Sequence, residues 1–68
     1  MKYRLTHTDP QINDMLENSN LDVVRKSLRD YDSAIKRGEG HIEAMEYVNH
    51  RFMRFNPTLV DFLSVEEI

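Results

Sequence analysis

No cysteine occurs among the 68 residues, so no disulfide can staple the fold and no thiolate can hold zinc. A cysteine-free chain suits a reducing compartment, and a cytoplasmic location is expected. Tryptophan is also absent, and glycine and proline occur only twice each, so every turn they mark is informative. Long hydrophobic runs are missing. The longest are two residues, as at Val23-Val24, Leu59-Val60 and Phe62-Leu63. A membrane span needs about 20 apolar residues, so none is expected. The opening Met1–Thr8 lacks the apolar stretch of a signal peptide, and the chain reads as a complete small protein. An excess of positive charge is lacking too: the formal net charge is -3, which sets the chain apart from generic polyanion binders.

What is present is ordinary globular usage, 40% hydrophobic and 31% charged, too apolar for a disordered chain. The length allows one domain near the lower limit of independent folding. Ordering costs of roughly 1.5 kcal/mol per residue nearly cancel what so small a core supplies. Such a chain depends on well-formed helices, on self-association or on a partner.

The first residues, Lys2-Tyr3-Arg4-Leu5-Thr6-His7, alternate polar and apolar or aromatic side chains, the period of a strand or extended arm over 1–8. Asp9-Pro10 is a cap followed by proline at the first helical position, predicting a short helix over 9–18 with Ile12, Met15 and Leu16 on one face. Asn20 is placed to cap the next helix, over 21–37. There Leu21, Val24, Leu28, Tyr31 and Ile35 recur at steps of 3, 4, 3 and 4. Lys36 and Arg37 suit its last turn, and Gly38 suits the left-handed position just beyond.

The connection Gly38-Glu39-Gly40 is so short that the following helix, over 40–55, must run back as an antiparallel neighbour. Its apolar positions are Ile42, Met45, Val48, Phe52 and Phe55, with Glu39, Glu43 and Glu46 toward its start and Arg51 and Arg54 at its end. Asn56-Pro57 stops it and opens a short helix or tail over 57–64. Ser64-Val65-Glu66-Glu67 has capping-box spacing, but only Ile68 follows. The expected fold is therefore all-α: a small bundle of three to four short helices around a central antiparallel helical hairpin, preceded by an extended arm. The hairpin needs a third apolar layer, from the flanking clusters (Ile12, Met15, Leu16 and Leu59, Phe62, Leu63) or from a second copy.

No spacing in the chain carries recognisable catalytic or metal chemistry. His50 follows Glu46 by four residues, but one pair supplies two ligands where zinc takes three or four; His7 and His41 stand apart. Ser19, Ser27, Ser33 and Ser64 lack a nucleophile elbow. Most of the acids have local roles at helix starts or in pairs, with Asp22, Lys26 and Asp30 spaced for i,i+4 bridges. No cofactor, no metal and no enzymatic activity are expected.

Basic residues offer two further readings. Arg25, Arg29 and Lys36 form a stripe on one helix with Lys26 and Arg37 beside it, and Arg51 and Arg54 interleave with Phe52 and Phe55 on the next; convergence would create a local positive patch. The arm, with Lys2, Arg4 and Thr6 facing outward and Tyr3 and Leu5 inward, followed by a short and a longer helix, resembles the first half of ribbon-helix-helix repressors. That likeness implies a dimer reading DNA through Lys2, Arg4 and Thr6. The short first helix, the additional hairpin and the negative charge argue against it.

The favoured expectation is a protein–protein interaction module, a regulator or inhibitor of a larger cytoplasmic protein, able to form a homodimer. Small stand-alone reading frames of this type are often accessory proteins of phages, other viruses or mobile elements. Aromatic and arginine side chains dominate binding hot spots, so Tyr47, Arg51 and Arg54 near the hairpin, with Phe62 and Leu63 in the last apolar cluster, are the candidate partner-binding residues.

Overall fold

A computed structural model describes residues 3–18 and 21–68. In chain order these form strand β1 (Tyr3–His7), helices α1 (Pro10–Asn18), α2 (Asp22–Lys36) and α3 (His41–Phe55), a 3₁₀ segment (Pro57–Phe62) and strand β2 (Leu63–Glu67). The molecule is mostly helical, as the apolar periodicities predict, but it is not all-α. The arm is a true strand, the short helix expected over 57–64 is present as the 3₁₀ turn Pro57–Phe62, and the residues after it form a second strand. They return across the molecule to pair antiparallel with β1, with Leu5 opposite Val65 and Arg4 opposite Glu66.

Local chemistry explains the helix ends. Asp9 Oδ1 accepts the amide of Gln11 at 2.9 Å, and Pro10 occupies the first helical position. At the end of α2, Gly38 takes φ +92°, and the amides of Glu39 and Gly38 reach back to the carbonyls of Ala34 and Ile35 at 3.0 Å each. This pattern satisfies two orphan carbonyls and turns the chain toward α3. Asn56 caps the 3₁₀ segment, its Oδ1 accepting from the Thr58 amide at 3.2 Å and the Thr58 hydroxyl at 2.7 Å. The cap of α2 departs from expectation: Leu21 occupies the cap position, with no side-chain bond, and Asn20 lies outside the described residues.

The hairpin packs through its smallest residues. Ala34 and Ala44 are fully buried, and so are Val48 and Phe52 of α3. Leu28 and Tyr31 of α2 complete the inner faces. The third layer comes from the same chain: Leu16 of α1, Leu59 of the 3₁₀ segment and Leu5, Leu63 and Val65 of the ribbon all join this core. A radius of gyration of 11.0 Å equals what a chain of this length needs to close on itself, about 11 Å. A second copy is not required for core burial. Of the flanking residues expected inside, Met15 and Phe62 stay half-exposed.

Candidate recognition surface

The outer face of α3 follows from its periodicity. With Ala44, Met45, Val48 and Phe52 turned inward, positions 43, 46, 47, 50 and 54 must face away, and Glu43, Glu46, Tyr47, His50 and Arg54 are all exposed there. Together with Asp30, Glu39, Arg51 and Phe55 they line one open groove. Three of the expected partner-binding residues, Tyr47, Arg51 and Arg54, are thus brought together. Phe62 lies elsewhere, half-exposed with its ring edge-on to His7 at 5.7 Å between centroids. Leu63 is buried at the start of β2 and belongs to the core, because the strand alternation turns it inward with Val65.

Each groove residue is held differently. The Tyr47 hydroxyl donates to Glu39 Oε1 at 3.0 Å, and the Arg37 guanidinium stands 5.5 Å from the centre of its ring. Arg37 in turn donates to Glu39 Oε2 at 2.9 Å, and that bond holds its pKa above the usual arginine value. Tyr47 is thereby positioned while 42% of its surface stays open. Arg51 reaches across to α2, where Nε and Nη2 both donate to Asp30 Oδ2 at 3.0 and 2.8 Å. Arg54, Glu43 and Glu46 make no ion pair among the described residues. At the end of the groove Phe55 is 50% exposed and borders a second shallow depression with Leu21, Asp22 and Lys26.

The groove therefore has a direction. Its first half is acidic (Glu39, Glu43, Glu46), its second half carries Arg51 and Arg54, and Tyr47 and Phe55 supply apolar surface. Phe55 and the acidic half were not among the candidates read from sequence. The signal for them was the stripe Glu43, Tyr47, His50, Arg54 at steps of 4, 3 and 4, which is as regular as the buried one.

The remaining candidates are spent on structure. Arg4 bonds Glu66 through Nε at 2.6 Å and through Nη2 at 2.5 Å, with Glu17 3.6 Å away, and Thr6 donates to the Ser64 carbonyl at 3.3 Å. Tyr3 and Leu5 do turn inward, but β1 pairs with β2 of the same chain. Lys2 lies outside the described residues. The bridges expected among Asp22, Lys26 and Asp30 are replaced: Asp22 pairs with Arg25 one turn on, and Asp30 with Arg51. Hydrogen bonding from Arg25, with the nearby charges of Arg25 and Lys26, lowers the Asp22 pKa. Lys36 bridges Asp32 at 3.0 Å and Arg37 bridges Glu39, so most of the basic stripe is neutralised locally.

Among the described residues no group of three or more histidine or acidic side chains is arranged to hold a metal ion. Nor is any described helix long and apolar enough to cross a membrane. No known family model matches the chain, and neither a curated protein nor a solved structure shows a significant match to it.

Proposed function

We propose that this chain is a non-enzymatic protein-interaction module, a cytoplasmic regulator or inhibitor that acts by docking the outer face of α3 onto another protein. One observation carries the reading. Tyr47 and Phe55 stay half-exposed on either side of Arg51, in a groove whose Arg54 has no ion pair of its own among the described residues. Aromatic and arginine side chains that are already oriented lose little entropy on binding, which is how a small surface gains affinity.

The charge gradient defines the partner's chemistry. It is a helix or extended segment with a cation facing Glu43, an acid facing Arg54, and an aromatic or imidazole ring against Tyr47. Affinity capture with the wild-type chain and with Tyr47→Ala or Arg54→Ala tests the assignment. A specific partner should be retained by the wild type and lost by both variants, with circular dichroism unchanged. Retention of the same partner by both variants would place the contact on another surface.

A further inference from the structure

We infer that a second copy of this chain fits the outer face of α3, its own α3 lying antiparallel across the first. This rests on the docking role given to that face above and names a partner for it. Along the exposed stripe the acids Glu43 and Glu46 precede Tyr47 and His50, and Arg51 and Arg54 follow. A two-fold axis running between the two helices, level with the midpoint of Tyr47 and His50, sets Glu43 of each copy opposite Arg54 of the other. The same axis brings Tyr47 of each copy near His50 of the other, while Glu46 and Arg51, about 140° apart around the helix, flank the contact on opposite sides. A parallel arrangement would instead stack Glu43 on Glu43 and Arg54 on Arg54, so like-charge repulsion selects the antiparallel one. The contact is isologous, and each ion pair occurs twice.

The groups concerned are available. Glu43, Glu46 and Arg54 are exposed and make no ion pair among the described residues, and Arg51 uses only Nε and Nη2 on Asp30. Since the core closes within one chain, association adds a contact without completing the fold. α3 has 15 residues, hence a length of about 22 Å. One such helix pair falls in the small interface class, below about 1,200 Å² in total, which marks a weak and reversible dimer. Any larger target that docks on Tyr47 competes with this self-contact by mass action.

Sedimentation equilibrium across a concentration series at low and high salt tests the inference on the full chain. The wild type should show a monomer–dimer equilibrium that moves toward monomer near 1 M salt, where the screening length falls to about 3 Å. Glu43→Arg alone and Arg54→Glu alone should each weaken dimerisation at least tenfold, because each places like charges across the axis. An equimolar mixture of these two variants should associate again, as a heterodimer with every pair restored. Should either reversal perturb the circular dichroism spectrum, Glu43→Gln and Arg54→Gln supply the milder comparison, each expected to weaken the dimer. A wild type that stays monomeric at every concentration overturns the inference, and so does a mixture no more associated than its components. If the wild type is monomeric but Tyr47→Ala still abolishes target capture, the self-contact alone is wrong. If Tyr47→Ala changes neither measurement, the docking reading itself is wrong.

Discussion

The hydroxyl of Tyr31 lies 2.7 Å from Nδ1 of His41, tying the middle of α2 to the first turn of α3. The Tyr31 ring also meets Tyr3 of β1 edge-on at 4.9 Å, so one side chain joins the hairpin to the ribbon. Burial raises its pKa above the usual tyrosine value, with smaller contributions from Tyr3 and Glu67. A raised folded pKa means that the neutral phenol's contribution is complete below about pH 10, the unfolded value. It declines as pH rises through the folded pKa. Urea unfolding should therefore show constant stability from neutral pH upward and a loss only in the alkaline range. Tyr31→Phe should remove about 1 kcal/mol at neutral pH, the usual worth of one hydrogen bond, and flatten this alkaline loss. Equal alkaline loss in wild type and variant would assign the effect to another group.

The ribbon is expected to be integral to the fold. Leu5 and Val65 face each other across it and both are buried. A chain ending at Phe62 loses Leu63 and Val65 from the core and exposes the bonding edge of β1. It should unfold without a cooperative transition, since so small a domain has only a few kcal/mol in reserve. Cooperative unfolding of the truncated chain near the wild-type midpoint would contradict the pairing.

Ser27 is fully buried on α2, and its hydroxyl has no hydrogen-bond partner among the described residues. Leaving such a group unpaired costs about 1–3 kcal/mol, and alanine is also the better helix former. Ser27→Ala should raise the unfolding free energy by about 1 kcal/mol with an unchanged denaturant slope. A loss of stability would mean that the hydroxyl is paired.

Phe52 has no exposed surface, whereas Phe62 is 54% exposed. Phe52→Ala should cost about 3–5 kcal/mol and unfold much of the population at ambient temperature. Phe62→Ala should cost far less, since about half of its surface already faces solvent, and it loses the edge contact to His7. Chemical denaturation of the two variants separates these outcomes, and equal effects would be inconsistent with the packing.

Features set by neighbours in sequence could be read without coordinates. Asp9-Pro10, Gly38 and Asn56-Pro57 end or begin elements through bonds spanning a few residues, and each occurs as the local chemistry dictates. The stripe from Val24 to Ile35 likewise reports one helix face. The second strand escaped because its partner is remote. Leu63-Ser64-Val65-Glu66 alternates with the strand period, but over so few residues that capping-box spacing reads equally well. Only pairing with Tyr3–His7, about sixty positions away, decides the matter. Asp30 illustrates the same limit, since its partner Arg51 lies 21 residues on and the helix offered Lys26 nearby. The Tyr47–Arg51–Arg54 face was visible as residue types in a stripe, whereas the burial of Leu63 followed from the unseen strand.

The self-contact through α3 is tested most directly by amide chemical shifts followed as the protein is concentrated at low salt. Shifts confined to Glu43, Glu46, Tyr47, His50 and Arg54, reversed by added salt, are the predicted result. Changes centred on the ribbon or on α1, or none at all up to millimolar protein, would contradict it.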